Sequence, residues 1–576
     1  VNDGGAAIAT ATAKGGGGGN SSGNGSGGNG GAGHVSAHAI GAGDRPVTVT
    51  ASASGGNGGA GSGSVGKGGT GGGATIDLAS GASPGAGAVS VTATLTGGNG
   101  GVGVTSAANG DGADANLQDA VTGSTHGLLS LMQAAVGGNA GLLGSGTGRG
   151  GNASFFLRFQ DASVATLIVT ANATGGTALA VGTPGSATSV AQAVGAQTVN
   201  AIANSTSPGA GADASASAQS SAGPASADAI ASGVAARSSA TAQSAFRFVM
   251  SGQSVANLPA GVRGLARARV AVGQGVVQLG ELAANQNAAV TTASPRNVDA
   301  LLTLADNPNV RGTLNIGGEG SGPRSDILAI ATLGGGQSAT ATASSQTFSA
   351  STSFSVDPSK LSSAQDLMLG LLHPQVANAG FDTLRFRVLA GAATLVDQTF
   401  DSVAAASAYF DDHLIDLGNN WTDGGTGTDS VVFTVLSDVT ASRADQRFFA
   451  SLVLANATHG AGGLPADADH DGRVGFADFQ RLELSFGSPG DFSQGDFDGS
   501  GMVDVDDFRV FYRYVGQTAD PLSAAQMDQV NAFASANGVA EVPEPGAIAP
   551  LLAGCVVGVL GRRRRRESAV NVPART

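Results

Sequence analysis

Cysteine, tyrosine, tryptophan and charged side chains are all scarce in this chain of 576 residues. The single cysteine, Cys555, excludes an intrachain disulfide framework and a cysteine-based metal site. Charged residues form 12% of the chain, about half the usual share. With 3 Tyr, 1 Trp and 94 Gly, a bulky apolar core is excluded for most of the length. Such a chain is expected to be either disordered or a regular stack held by backbone hydrogen bonds.

The net charge of −14 comes mainly from aspartate, since glutamate first occurs at Glu281. No basic patch lies outside Arg562–Arg566, and this lack argues against nucleic acid as a partner. The length predicts two to four domains. The opening residues, VNDGGAAIATATAKGGGGG, show neither a starting Met nor an export signal, so we expect a processed chain or a fragment.

Segments with period-two alternation recur along the first part of the chain. They are IATATAK (8–14), VTVTASAS (47–54), VSVTATLT (89–96) and LIVTANAT (167–174), with a weaker copy in SLMQAAVGGNAG. Each runs into glycines, which begin at the nearly evenly spaced positions Gly15, Gly55, Gly97, Gly137 and Gly175. The alternation predicts strands with one apolar face, and the glycines predict turns. A second strand is predicted before most copies, as at 74–80 and 152–160.

A repeat of about 40 residues with small inward side chains fits two coils of a β-solenoid. A flexible Gly/Ser linker array is the alternative, although true linkers lack β-branched alternation. The layout is similar to that of glycine-rich surface proteins of the adhesin and autotransporter-passenger kind. After residue 200 the sequence becomes Ala/Ser-rich, which predicts a closing coil or a linker over 201–243.

Longer side chains return near Ser244, and residues 244–460 predict an antiparallel β-sandwich-like domain. Its predicted strands are FRFVM (246–250), TLNIGG (313–318), DILAIATL (326–333), TLRFRVL (383–389), SVVFTVL (430–436) and FFASLVLA (448–455). Two short helices are predicted over 362–372 and 402–418. Each begins at serine and stops near proline or glycine.

Two twelve-residue stretches, DADHDGRVGFAD (467–478) and DFDGSGMVDVDD (496–507), fit the EF-hand calcium loop. Carboxylates crowd together in this way when a divalent cation neutralises them, so the pattern predicts two Ca²⁺ ions. The alternative is a pair of Asp/Gly-rich turns that bind nothing. Val474 and Val503 hold the eighth positions, where we expect a short β-bridge between the loops. The predicted metal ligands are Asp467, Asp469, Asp471, Arg473 (carbonyl), Asp478, Asp496, Asp498, Ser500, Met502 (carbonyl), Asp504 (through water) and Asp507.

An apolar helix is predicted after each loop, and the paired loop–helix units over 464–516 resemble a type I dockerin. The same resemblance extends to the dockerin-like calcium modules of bacterial surface proteins. It implies a small α-helical EF-hand/dockerin-like module with two bound calcium ions. Cellulosomal dockerins contact cohesin through a Ser-Thr pair at loop positions ten and eleven. This chain has Phe476-Ala477 and Val505-Asp506 there, so cohesin binding does not carry over.

After a predicted linker over 517–541, the chain continues with a Pro-Glu-Pro motif, an apolar run and an arginine cluster. As a helix, residues 546–561 would span roughly 24 Å, against a hydrocarbon core of about 30 Å. The arginines behind this run are expected to stay cytoplasmic. The arrangement over 542–566 resembles the PEP-CTERM sorting signal, which implies an exosortase-like processing enzyme. A plain membrane anchor is the alternative, and residues 567–576 form a tail longer than family members usually have. The signal residues are Val542, Pro543, Glu544, Pro545, Arg562, Arg563, Arg564, Arg565 and Arg566.

No catalytic constellation stands out, so no catalytic or organic-cofactor site is predicted. His34 and His38 lie in strand and loop sequence, where we expect them to face solvent, and His413 is expected on a helix surface. Residues 1–240 contain two lysines, Lys14 and Lys67, whereas a polysaccharide-lyase site needs Asp, Lys and Arg clustered on one face.

The sequence therefore predicts a mainly β protein. We expect glycine-rich β-solenoid-like repeats over 1–200, an antiparallel β-sandwich, the dockerin-like module and a C-terminal transmembrane helix. We expect a non-catalytic, exported protein of the cell envelope or extracellular matrix, adhesive or structural, transiently anchored with its C-terminus cytoplasmic. An extracellular polysaccharide is a further candidate partner. The alternative is a carbohydrate-active β-helix enzyme or a glycan-binding protein.

Overall fold

The chain divides into two compact units, Val1–Ala461 and Gly462–Thr576. The computed structural model describes residues 5–537 except 143–145, 180, 235, 245–248, 258–261, 271–286, 296–303, 305–306, 308–309, 312–313, 315–325, 338–344, 357–364, 378, 419–430, 459–465, 469–473, 491–493, 498–501 and 516–521.

The first unit is mainly β, as predicted. Its glycine-rich half contains β1 Ala7–Lys14, β2 Gly33–Ile40, β3 Val47–Ser54, β4 Gly61–Ser62, β5 Ala74–Ala82, β6 Val89–Thr96, β7 Gly103–Val104, β8 Ala115–Gln118, β9 Val121–Ser124, β10 Leu128–Val136, β11 Ala153–Asp161 and β12 Thr166–Thr174. The Ala/Ser-rich stretch that follows contains β13 Ala187–Gly195, β14 Thr198–Thr206, β15 Ala212–Ser220, β16 Ala225–Gly233 and β17 Arg237–Ser244. The remainder contains β18 Val249–Asn257, β19 Val262–Val270, β20 Asn287–Ala293, β21 Asp326–Gly336, β22 Gln346–Val356, β23 Gln365–Val376, β24 Thr383–Ala390, β25 Ala393–Phe400, α1 Val403–Phe410, β26 His413–Gly418, β27 Val431–Ala441 and β28 Arg447–Thr458.

The alternating segments of the repeats form neighbouring parallel strands. Ala7 pairs with Val47, Val47 with Val89, Val89 with Leu129 and Leu129 with Leu167. The steps between these partners equal the steps between the starts of successive glycine runs. Each repeat thus adds one strand to this sheet, so the prediction of two coils per repeat is wrong. The rest of each repeat is taken up by the glycine run and a strand in another sheet.

We call the stretch of chain from one strand of this sheet to its next parallel neighbour a coil. The coils shorten along the chain. From β10 to β17 the strands alternate between a 13-stranded and a 10-stranded sheet. In the larger sheet Thr166 pairs with Thr198, and Val199 pairs with Ala225, so the step between parallel partners becomes smaller with each coil. The glycine runs disappear over the same stretch, which leaves coils made almost entirely of strand.

Pairing becomes antiparallel where β16 meets β19 and β17 meets β18. The later strands then extend the same two sheets. The predicted strands at 326–333, 383–389 and 448–455 lie within β21, β24 and β28, and most of 430–436 lies within β27. The predicted strand at 313–318 lies, apart from Leu314, outside the described residues.

The helix predicted over 362–372 is wrong, because this segment belongs to β23 where it is described. Leu369 and Leu371 are buried in the main core, whereas Met368 and Leu372 are buried in a second cluster on the other face. A strand buried on both faces reads as a continuous apolar run without alternation, which a helix segment matches equally well.

The helix predicted over 402–418 is right only for its first half. Ser402 caps α1, since its Oγ accepts a hydrogen bond from the Ala405 N–H at 3.1 Å. The helix ends at Phe410, the backbone turns through a positive φ of 50° at Asp412, and β26 follows.

The second unit contains three helices among its described residues: α2 Phe476–Ser485, α3 Val505–Tyr514 and α4 Ala524–Ala536. The helix α4 lies within the stretch predicted as a linker. Its Phe533 packs against the rings of Phe479 and Phe508, with centroids 5.4 Å apart in both pairs. Within the described residues, no helix is long and apolar enough to cross a membrane.

Candidate functional site

The glycine runs form two stacked layers, which together we call the glycine stack. One layer contains 15–21, 55–61, 97–103, 137–141 and 175–177, and the other contains 27–33, 67–73, 108–113, 148–152 and 183–186. Backbone hydrogen bonds within a layer recur at every third residue. The N–H groups of Gly15 and Gly18 donate to the carbonyls of Ser54 and Asn57 at 2.8 and 2.7 Å. A three-residue period with bonds only between segments is typical of extended helices of the polyproline II kind.

A second set of backbone hydrogen bonds joins the two layers, which run antiparallel. The Gly56 N–H donates to the Gly31 carbonyl at 2.9 Å, and the Gly59 N–H donates to the Gly28 carbonyl at 2.8 Å. A Cβ at Gly56 would overlap the Gly16 carbonyl oxygen of the preceding coil. In the run 55–61, two of every three residues are therefore glycine because neighbouring backbones approach too closely for a side chain.

In several triplets the third residue is an asparagine whose side chain bonds the next coil. Asn57 Oδ1 accepts from the Asn99 N–H at 3.1 Å, and Asn99 Oδ1 accepts from the Asn139 N–H at 2.8 Å. Asn139 Oδ1 then accepts from the Thr177 N–H at 2.8 Å. In these triplets, two backbone N–H groups bond carbonyls within or between the layers. The asparagine ladder provides an acceptor for the third backbone N–H. The glycines were predicted to make turns; the alignment of Gly-Gly-Asn triplets across repeats was the signal for stacking.

The few charged residues of the stack take part in similar links. Lys67 Nζ lies 3.1 Å from Asp111 Oδ2, and Asp111 Oδ1 accepts the Arg149 N–H at 2.8 Å. Burial raises the pKa of Asp111, but the hydrogen bonds from Arg149 and Lys67 outweigh it and bring the pKa below its usual value. Lys67 therefore serves the packing of neighbouring coils.

His34 and His38 lie on the exposed face of β2, which confirms that they face solvent. His34 Nδ1 lies 2.8 Å from Thr75 Oγ1 and its Nε2 lies 2.9 Å from Asp77 Oδ2, both on the neighbouring β5. His38 bonds the Ser80 hydroxyl of β5 in the same way, at 2.6 Å. Both partners of His34 lie on an open strand surface, so this chain of groups is another link between coils.

His413 begins β26 and does not lie on a helix surface as predicted. Its Nδ1 lies 2.8 Å from the Tyr409 carbonyl oxygen, and its ring packs edge-on against the Tyr409 ring at 4.8 Å. Burial raises the pKa of Tyr409 to about 12.

In the second unit, the acids at the first and last positions of both predicted calcium loops are buried. Asp467, Asp478, Asp496 and Asp507 are at most 5% exposed. Asp507 Oδ1 accepts the Phe497 N–H at 2.6 Å, and its Oδ2 accepts the Asp504 N–H at 2.8 Å. Asp507, the twelfth residue of the second loop, thus bonds the backbone of the second residue, Phe497, and of the ninth residue, Asp504. In the first loop Asp478 Oδ2 accepts the Gly475 N–H at 2.7 Å.

The remaining predicted ligands are only partly described. Asp504 caps α3, since its Oδ1 accepts the Asp506 N–H at 2.9 Å, and Met502 forms a backbone bridge with Pro489. Among the described residues, no three acidic, histidine or cysteine side chains converge on one point. The ligands Asp469, Asp471, Arg473, Asp498 and Ser500, and the sorting residues Val542, Pro543, Glu544, Pro545 and Arg562–Arg566, lie outside the described residues.

The prediction of a β-bridge between Val474 and Val503 is wrong, because the backbone of Val503 pairs with another segment. The Val503 N–H donates to the Ser488 carbonyl at 2.9 Å, and its carbonyl accepts the Gly487 N–H at 2.7 Å. Both valines are buried in the core of this unit. The segment after α2 therefore occupies the position that the other loop was expected to take.

No protein-family model matches the chain, and neither a curated protein nor a solved structure matches it.

Proposed function

We propose that this protein is a non-catalytic, exported component of the cell surface or extracellular matrix with an adhesive or structural role. The observation that carries the proposal is the glycine stack, in which each repeat is fixed to the next by backbone bonds and an asparagine ladder. The polar residues of the stack form hydrogen bonds between coils on a surface that repeats along the stack. A stiff scaffold of this kind suits a molecule that spaces or displays other groups outside the cell.

The chain architecture under this proposal is a β-solenoid followed by a β-sandwich-like domain. The in-register parallel pairing of β1, β3, β6, β10 and β12 supports the solenoid. The antiparallel pairing of β22 with β27 and of β24 with β27 supports the sandwich. The antiparallel β18 and β19 would then close the last coils of the solenoid, whose edges would otherwise be open.

We further propose that the second unit binds two calcium ions. Burying a carboxylate is costly unless a counter-charge or hydrogen bonds compensate. Four buried aspartates at the first and twelfth loop positions fit a hard cation with oxygen ligands. The ions, when bound, supply positive charge. Asp467, Asp469, Asp471, Arg473 and Asp478 would hold one, and Asp496, Asp498, Ser500, Met502, Asp504 and Asp507 the other.

The export proposal rests on the likeness of residues 542–566 to a PEP-CTERM sorting signal. It is tested by expressing the full chain behind an added export signal in a bacterium that has an exosortase, alongside a variant with Pro543, Glu544 and Pro545 changed to alanine. We expect the unaltered chain in the envelope or medium and the variant retained, uncleaved, in the membrane. An unaltered chain that stays inside the cell would overturn the proposal.

The non-catalytic role is tested against the alternative of a carbohydrate-active enzyme. Purified protein is incubated with acidic and neutral polysaccharides, and the products are assayed for new reducing ends and for unsaturated sugars. We expect no turnover. Reproducible product formation would overturn the non-catalytic role, whereas binding without turnover would be consistent with an adhesive one.

A further inference from the structure

Each asparagine of the ladder acts together with the residue that follows it in the sequence. Asn57 Oδ1 accepts the Asn99 N–H at 3.1 Å, and the Gly58 N–H donates to the Asn99 carbonyl at 2.8 Å. Both main-chain groups of Asn99 are thus held by two neighbouring residues of the preceding coil. Asn99 and Gly100 hold the N–H and the carbonyl of Asn139 in the same way, at 2.8 and 2.7 Å. We call this arrangement the two-point clamp.

Asn57 and Asn99 are each followed by glycine. Asparagine is a thermolabile residue, and it deamidates most readily before glycine, which leaves the reacting backbone unhindered. The glycine nitrogen bonds to the side-chain Cγ, the Cγ–Nδ2 bond breaks, and ammonia departs with the N–H proton, so that a succinimide ring remains. Water then opens the ring at either carbonyl. One product is aspartate, and the other is isoaspartate, in which the main chain runs through Cβ and Cγ and is one atom longer.

The two-point clamp blocks the first step of this reaction at both asparagines. The nitrogen that would attack, that of Gly58 or Gly100, is held through its N–H by a carbonyl of the next coil. The side-chain carbonyl that it would attack is held by an N–H of the same residue of that coil. Because cyclisation joins these two groups to each other, both bonds must break first. The reaction therefore proceeds from an opened coil, and its rate follows the population of that opened state.

The two products differ in whether they can form the clamp again. Asp111, in the second layer, shows what an aspartate does in such a position. Its Oδ1 accepts the Arg149 N–H at 2.8 Å, and the N–H of the following Gly112 donates to the Arg149 carbonyl at 2.8 Å. An aspartate thus forms the clamp as an asparagine does. Isoaspartate lengthens the main chain of the run by one atom, which breaks the three-residue period of the layer.

We propose that Asn57 and Asn99 are modification sites that the folded glycine stack keeps closed. Deamidation occurs when a coil opens, and the isoaspartate that forms prevents the coil from closing again in register. The reactants are the glycine nitrogen and water, so the step needs no enzyme. A transient loss of packing is thereby converted into a permanent covalent change. The inference stands independently of export and calcium binding.

The test incubates the full chain in mildly alkaline buffer, with and without urea, and follows both sites by mass spectrometry of proteolytic peptides. In urea, Asn57 and Asn99 should convert to a mixture of aspartate and isoaspartate, which chromatography of the peptides separates. In the folded protein, conversion at both sites should be at least about tenfold slower, because the clamp must open first.

Two glycine variants separate the effect of packing from that of the local sequence. Gly101→Ala places a Cβ against the Gly59 carbonyl oxygen, between the two coils that the clamp at Asn57 joins. The sequence around Asn57 is unchanged, and without urea this residue should deamidate at least about fivefold faster than in the unaltered protein. Gly73→Ala is the matched control, since a Cβ there meets no atom within 4 Å, and it should leave the rate at Asn57 unchanged.

Dilution from urea tests the effect of the modification on the fold. Chains that contain isoaspartate at either site should not recover the thermal midpoint of the unaltered protein. A double variant with Asn57→Asp and Asn99→Asp should recover most of it after a short exposure to urea. Three results would overturn the proposal: equal rates with and without urea, equal rates at Asn57 in Gly101→Ala and Gly73→Ala, and complete refolding of chains that contain isoaspartate.

Discussion

The side-chain oxygen of Asn99 accepts a hydrogen bond from the backbone N–H of Asn139 at 2.8 Å, one coil further along the stack. The Asn99 N–H in turn donates to Asn57 Oδ1 in the coil before it. Each asparagine is thus both donor and acceptor in a ladder that runs across the repeats. The ladder explains why a coil with so little apolar surface can keep a single register.

Replacing Asn99 by alanine should lower the free energy of unfolding by about 0.5–1.5 kcal/mol, the net worth of one hydrogen bond. The Asn139 amide is left to water, and the register loses one constraint. The midpoint of urea unfolding measures the effect. Asn99→Asp keeps the accepting oxygen and should retain most of the stability. Equal losses in the two variants would show that the oxygen at this position does not matter.

Alanine substitution should change the stability of the protein at one glycine of the stack, Gly59, and leave it nearly unchanged at another, Gly73. At Gly59 a Cβ would overlap the Gly19 carbonyl oxygen, so Gly59→Ala should destabilise the protein by about 1–3 kcal/mol or more. At Gly73 a Cβ meets no atom within 4 Å, and Gly73→Ala should change stability by less than about 0.5 kcal/mol. Thermal unfolding followed by circular dichroism compares them. Similar midpoints for both would contradict the close packing of the layers.

The sequence predicts the strands of the repeats well because alternation and length agree there. Val47, Val49, Ala51 and Ala53 face the core with period two, and the glycine spacing equals the strand offset. The stacking of the glycines was not predicted, since glycine suits both a turn and a close backbone approach. What distinguishes the two is the regular third residue, such as Asn57, whose role depends on a neighbour one whole repeat away.

Later in the chain, prediction fails where local pattern and tertiary environment disagree. The strand β23 is buried on both faces, so Leu369 and Met368 give no alternation to distinguish it from a helix. In the second acidic loop, Asp507 accepts a hydrogen bond from the Phe497 N–H, next to Asp496, and the calcium-loop assignment itself stays a prediction. The pairing of Val503 with residues after α2 depends on contacts that the loop motif does not encode.

Tyr409 should make the stability of the first unit depend on alkaline pH. Its ring packs among Phe386, Phe400 and Phe410, and burial raises its pKa to about 12, against about 10 in an unfolded chain. The neutral phenol is favoured in the folded state. The stabilisation is therefore complete below about pH 10 and is lost as pH rises towards 12.

Unfolding midpoints measured across this range should fall more steeply for the unaltered protein than for Tyr409→Phe, which has no phenol to ionise. Titration of the phenolate absorbance gives a second readout, because the variant should lack the late-ionising component. A variant with the same pH dependence as the unaltered protein would assign the effect to other groups.

Calcium should stabilise the second unit by binding at the two acidic loops. Isothermal titration of the full, chelator-treated chain should show two ions bound per molecule, with an upward shift in the unfolding midpoint of this unit. At a free calcium concentration 100 times the Kd, the stabilisation would be about 2.7 kcal/mol. Asp507→Asn keeps one accepting oxygen but removes the charge, and it should weaken one of the two sites at least tenfold.

Asp528→Asn is the matched control, because Asp528 lies exposed on α4 of the same unit. Since this substitution removes one charge at the surface, it should leave both calcium sites unchanged. Equal weakening by Asp507→Asn and Asp528→Asn would assign the effect to net charge. If the chain binds no calcium at all, the buried Asp478 and Asp507 serve only to hold backbone amides. The case for a calcium-dependent extracellular module would then be lost, while the packing of the glycine stack would be unaffected.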